Sequence, residues 1–179
     1  MLYWWSSYSL FPGAVPQGVT RLFSVGDKVV YPMHGAGIIE AIEDREILGS
    51  RKTYYIMRLP LGDMKVMIPT DNVEEIGLRG IINREEVKKV IDVLKDSKTK
   101  MSSNWNRRYR ANMQKIKSGN IYEVAEVVRN LQLRDMEKGL STGERKMLSN
   151  AKQILISELV LADDMDEEKA KELIEDLFQ

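Results

Sequence analysis

Residues 64–94 read MKVMIPTDNVEEIGLRGIINREEVKKVIDVL, and a change of period inside this stretch decides the fold. Met64-Lys65-Val66-Met67-Ile68 follows a Gly62-Asp63 turn and has the composition of a strand; Val73 to Ile76 is expected to form a last short strand. After Gly80 the pattern moves from a period of two to one of about 3.6 residues. Asn83 with Glu86 has the form of a capping box, and Val87, Val90, Ile91 and Leu94 make one apolar stripe, which predicts a helix of roughly three turns. The chain therefore passes from strands to helices at one point, which places it in the α+β class.

Upstream of that point the segments are short and punctuated by glycine and aspartate. Lys28-Val29-Val30-Tyr31, Ile38 to Ile42 and Thr53 to Leu59 are strands by composition. Five short antiparallel strands are expected to curl into a small barrel, because a flat sheet of that size would leave two edges exposed. Downstream, Lys95 to Lys100 is polar and aperiodic, which fits an inter-domain linker. Ser103 is expected to cap a second helix that Gly119 ends. Asn120 opens a third helix closed by Gly139, and Ser141 with Glu144 opens a fourth. Asp166 is expected to cap a final acidic helix with Ala170, Leu173, Ile174 and Leu177 inward. Short helices on short connections can bury their stripes only against one another, so a compact helical bundle follows the barrel.

The expected boundaries are residues 22–80 for the barrel, 81–100 for a helix and linker, 101–162 for the basic helical domain, and 163–179 for an acidic helix or tail. Residues 1–21 carry Trp4, Trp5 and two prolines, with no basic residue before Arg21. That is a poor secretory signal, and the segment is expected to be a disordered or non-native extension. Translation is expected to begin near Leu22, which the intact mass of the protein from its own cell would test.

Composition excludes much chemistry. With no cysteine and one histidine among 179 residues, disulfides and thiolate metal sites are out and a zinc-hydrolase constellation is disfavoured. His34, between proline and glycine, is read as a turn former. Gly35-Ala36-Gly37 lacks the lysine and serine of a phosphate loop. The acidic run from Asp163 to Glu168 has no calcium-loop spacing. No stretch reaches the roughly 18 apolar residues of a membrane span, and a cytoplasmic protein is expected. No enzyme, cofactor or small-molecule substrate is expected.

The total of 27 basic and 27 acidic side chains hides strong segregation: residues 22–97 balance to −2, residues 98–160 to +7, and residues 163–179 to −6. A positive segment between a near-neutral one and an acidic one points to a polyanion-binding module. Its centre is Met101 to Lys117, MSSNWNRRYRANMQKIK, with five basic residues and no acid. Trp105 sits there beside arginines on the first turns of a helix. Backbone N–H groups, guanidinium forks and an aromatic plate in one place suit phosphate contacts and insertion at a base step. Trp105 is the candidate wedge; Arg107, Arg108 and Arg110 are candidate phosphate contacts, although one helix cannot point all three the same way. A tryptophan near a helix start also serves as a core anchor, and surface arginines are often only solvated. The aliphatic residues of the other helices already suffice for a small core, which favours the wedge.

Three runs, VGDKVVYPMHGAGIIEAIE (25–43), SSNWNRRYRANMQKIKSGN (102–120) and VAEVVRNLQLRDMEKGLSTGERKMLSNAKQILISEL (124–159), agree in order and spacing with the CarD/CdnL family of bacterial RNA-polymerase-binding regulators. The chain resembles that family from Phe23 to Ala162. The resemblance implies an N-terminal Tudor-like barrel, similar to one in the transcription-repair coupling factor, that binds the polymerase β subunit. It also implies a helical domain that contacts promoter DNA in the minor groove at the upstream edge of the bubble, with little sequence specificity, and favours the open complex. The family's wedge falls on Trp105 and its DNA-contacting basic positions on Arg107 and Arg110. One polymerase-contacting arginine falls on Arg45; a second falls on Met67, where this sequence has lost the charge, and Lys65 on the same strand face is a candidate substitute. Two other classes compete with this reading. A general nucleic-acid-binding protein without polymerase contact would fail to recover the β subunit through its barrel. A protein-interaction adaptor whose basic helices meet an acidic partner would lack a steep salt slope on DNA.

Overall fold

A computed structural model describes residues 23–179; the expected extension over residues 1–21 lies outside them. The N-terminal part is one antiparallel sheet of β1 (Lys28–Tyr31), β2 (Gly35–Ile47), β3 (Ser50–Arg58), β4 (Lys65–Pro69) and β5 (Arg79–Gly80), in the order β4-β3-β2-β1-β5. Alternation along the strands turns Val29, Ile39, Tyr55, Met57 and Ile68 to one side. There they form a buried core with Phe23, Leu59, Val73 and Leu78. The β2–β3 register slips between Ile39 and Ala41, a bulge of the kind that bends a strand. The hairpin beyond it turns through Leu48 and Gly49, both at positive φ (52° and 76°), as a two-residue turn requires.

The fifth strand is not where the composition placed it. Val73–Ile76 is a helical turn, α1, ended by Gly77 at φ 76°, and the strand is Arg79–Gly80, paired with β1 through Val29↔Gly80. Val73 and Ile76 are three residues apart with two glutamates between them. That spacing fits one face of a helix, and a four-residue window is too short to separate the two periods. No ladder joins β4 to β5 among the described residues. A 3-10 turn (Thr70–Asn72) and α1 span that gap, with Val73 in the core.

The helices are α2 (Arg84–Lys95), α3 (Trp105–Lys117), α4 (Ile121–Lys138), α5 (Thr142–Asp163) and α6 (Glu167–Asp176). Asn83–Glu86 and Ser141–Glu144 form the two reciprocal capping boxes, and Asn120 caps α4 by accepting from the Tyr122 amide. The cap of α3 is Asn104, one residue beyond the expected Ser103; its side chain accepts from the Arg107 amide at 3.1 Å. Asparagine at this position offers its carbonyl oxygen to the first-turn amides as well as serine does.

One core runs through the whole helical part, from Ile82, Val87, Val90 and Leu94 through the faces of α4 and α5 to Ala170 and Ile174. Both α2 and α6 contribute apolar residues to this core. Residues 96–100 form the start of the polar loop between α2 and α3. Arg129 of α4, 3% exposed, donates to the Val93 carbonyl, and the Thr99 amide donates to the Asn130 side chain.

The seam between sheet and bundle lies along the C-terminal half of α5. Ser157 Oγ accepts from the Ala36 amide at 2.8 Å. Arg79 forks onto the fully buried Glu158 at 2.7 and 2.9 Å, and the Ile82 amide donates to the same carboxylate. Gly35, at φ 99°, is required here, because a Cβ would stand 2.5 Å from Ser157 Oγ.

Candidate nucleic-acid interface

At the other end of α5 the N-termini of two helices meet. Asn104 starts α3 so that Trp105 is its first residue, and Ser141 starts α5. The Trp105 indole lies between them, 43% exposed. It stacks on Tyr109 one turn along, with ring centroids 5.1 Å apart and 27° between planes. Its Nε1–H donates to Ser141 Oγ at 3.0 Å. The ring is therefore held along its N–H edge by Ser141 and covered on one face by Tyr109, while close to half of the residue stays open to solvent.

Arg107 and Arg110 are exposed and lie three residues apart on the same side of α3, with no ion pair to any described residue. Arg108 does not join them, and its expected phosphate contact is corrected. It is 3% exposed, its Nε donates to Glu144 Oε1 at 2.6 Å, and its Nη1 donates to the carbonyls of Ser102 and Ser103. A step of one residue rotates a side chain by about 100°, so position 108 faces inward when 107 and 110 face outward. Burial alone would raise the Glu144 pKa. Hydrogen bonds from Arg108 and Ser141 outweigh it, and the net shift is downward.

Two basic residues went unnoticed in the sequence. Arg145 and Lys146, in the first turn of α5, are exposed and carry no ion pair among the described residues. The signal was their place directly after the capping box, but nothing in the sequence says that this helix start abuts Trp105. Lys115, inside the basic window, is instead paired with Glu126 at 2.7 Å.

The other predicted residues gather on the outward face of the sheet. Arg45 stands opposite Lys52, Met67 opposite Ile56, and Lys65 opposite Arg58. Positions 52, 56 and 58 of β3 share one face, so Arg45, Lys65 and Met67 do too. Arg45 pairs with Glu43 at 2.5 Å, and Lys65 and Arg58 both reach Glu40, at 2.8 and 2.7 Å. Met67 is 49% exposed, and Ile47 and Leu48 at the hairpin tip are exposed as well.

An antiparallel sheet locked onto a helical bundle, with a half-open indole among free arginines at one end and a charge-paired, partly apolar sheet face, defines a class of two-part binding proteins. Comparison with known proteins gives the class its family. The description "CarD-like/TRCF RID domain" matches residues 23–82 and "CarD, C-terminal domain" matches residues 89–175. The chain is 41% identical over 150 residues to "Putative transcription factor YdeB" of Bacillus subtilis (strain 168), covering 84% of this chain and 98% of that protein. The solution NMR structure of the 72-residue N-terminal domain of Myxococcus xanthus CarD is 38% identical over 38% of this chain and 92% of its own, with a TM-score of 0.30. The chain belongs to the CarD family. Its function is accordingly transcription regulation, and its N-terminal domain is of the RNA-polymerase-interacting type. Among the described residues no helix is long and apolar enough to cross a membrane.

Proposed function

We propose that the protein docks the outward face of its sheet on the RNA polymerase β subunit and sets Trp105 into the minor groove of promoter DNA at the upstream edge of the bubble. It acts by binding alone, in the cytoplasm, without cofactor or small-molecule substrate. The observation that carries this reading is the 43% exposed indole at the meeting point of two helix starts, flanked by unpaired Arg107 and Arg110.

The physical case has three parts. Tethering to polymerase raises the local concentration of the helical domain at the promoter, so a modest DNA affinity suffices. Arginines beside the ring fix its position on the phosphates without reading sequence. An aromatic plate at a base step costs a few kcal/mol of unstacking in intact duplex, and least where the helix is already distorted, as at a bubble junction. A protein that binds the open complex better than the closed one shifts the population by that difference.

Trp105→Ala tests it. Stacking of a base on an aromatic side chain is worth about 1–3 kcal/mol, so the open-complex half-life on a defined promoter with the cognate polymerase should fall roughly tenfold. Recovery of polymerase by the variant should be unchanged. An unaltered half-life would remove the wedge.

A further inference from the structure

The Trp105 indole N–H opens a chain of hydrogen bonds that ends in buried charge. The indole N–H, the ring's one polar atom and a donor only, is given to Ser141 Oγ. That oxygen also accepts from the Glu144 amide at 3.3 Å, and its hydroxyl hydrogen goes to Glu144 Oε2 at 2.9 Å. A serine hydroxyl offers one donor and two lone pairs, and all three are used here. Glu144, 2% exposed, accepts from the Ser141 amide on the same oxygen and from Arg108 Nε on the other. Arg108 in turn is fixed to the carbonyls just before α3, the helix that begins with Trp105. The loop closes on itself.

We infer that Ser141, held by the buried Glu144–Arg108 pair, is a positioning residue that fixes the plane of the Trp105 indole before DNA arrives. The inference rests on the wedge reading above and assigns it two consequences. A ring already oriented loses less freedom on insertion, so it binds better than a free one. And because its N–H is turned to Ser141, the part that meets DNA offers no donor to a base edge, which makes the insertion one of shape and stacking rather than sequence. Arg108 thus serves the interface without touching it.

Ser141→Gly is the discriminating variant. Glycine is tolerated at a helix N-cap almost as well as serine, so α5 is retained while the indole loses its acceptor. The 15N-indole spectrum of the full chain reads this directly, with the Trp105 N–H resonance assigned by its loss in Trp105→Phe. In Ser141→Gly that resonance should move upfield and exchange faster with water, the open-complex half-life should fall about threefold relative to wild type, a part of the stacking contribution, and Ser141→Thr should restore both. An unmoved resonance overturns the inference whatever the half-life does. A released indole with an unchanged half-life, where Trp105→Ala shortens it, overturns the functional role of the hydrogen bond and leaves the wedge standing. No effect of Trp105→Ala brings down both readings, and a released resonance would then describe only a structural contact.

Discussion

The sheet face and the α3–α5 pole both display cations, yet they treat them in opposite ways. On the sheet, Arg45 is matched by Glu43, and Lys65 and Arg58 share Glu40, while Met67 and Ile47 lie bare among them. At the pole, Arg107, Arg110, Arg145 and Lys146 have no counter-charge among the described residues, and the one well-paired arginine, Arg108, is buried. A locally neutralised face with apolar side chains projects little field and suits a protein partner. Unmatched cations around an aromatic plate project a field that draws a polyanion from a distance. Net charge by segment showed the contrast, but side-chain pairing shows which cations are neutralised and which are free.

The largest effect expected from breaking this arrangement is at Arg108. Arg108→Ala takes from the buried Glu144 its hydrogen-bonded cation and leaves only the Arg134 guanidinium at 3.9 Å, at a cost of about 3 kcal/mol. Urea denaturation should show it as a lower midpoint with unchanged slope; stability equal to wild type would contradict the buried assignment. Next comes the free pair. Arg107→Ala with Arg110→Ala should leave stability within about 0.5 kcal/mol while reducing the salt slope of DNA binding by about 0.9 for each phosphate that is no longer neutralised. An unchanged slope would mean that these arginines meet something other than phosphate.

At the sheet face, Arg45→Glu should weaken polymerase recovery by roughly 1 kcal/mol, since an exposed, salt-paired charge contributes little, and leave DNA binding by the free protein untouched. If DNA binding fell instead, the division between the two faces would be wrong. The smallest effect is with pH. The folded-state pKa of Glu144 lies below its ordinary 4.5. Its contribution to stability is therefore fully present above 4.5 and lost as pH falls through the lower folded value. The stability of Glu144→Gln should accordingly depend less on pH over the acidic range than that of wild type.

Particular residues show where sequence reasoning carried and where it stopped. Asn83, Ser141 and Glu144 announced their helices because capping is a local exchange between groups three residues apart. Trp105 stood out because an aromatic residue among arginines is conspicuous in any fold. Val73–Ile76 was misjudged because four residues cannot distinguish a strand from a helical turn. Arg108 was misplaced because its partner lies 36 positions away. The apolar stripes at 84–95 and 167–176 were legible, but which helices they meet was not, because that depends on faces brought together from distant parts of the chain.

What the sequence by itself determined is the order of elements, the sign of charge along the chain, the family likeness and the aromatic residue at the start of a basic helix. All of these depend on neighbours within a few positions or on similarity of whole runs. Tertiary structure decided which arginines are free and which are spent, that two helix starts converge on one indole, and that Ser157 and Glu158 of α5 lock the sheet to the bundle. Those outcomes come from pairing between groups tens of residues apart, where burial makes an unmatched charge too costly to leave and so selects one arrangement.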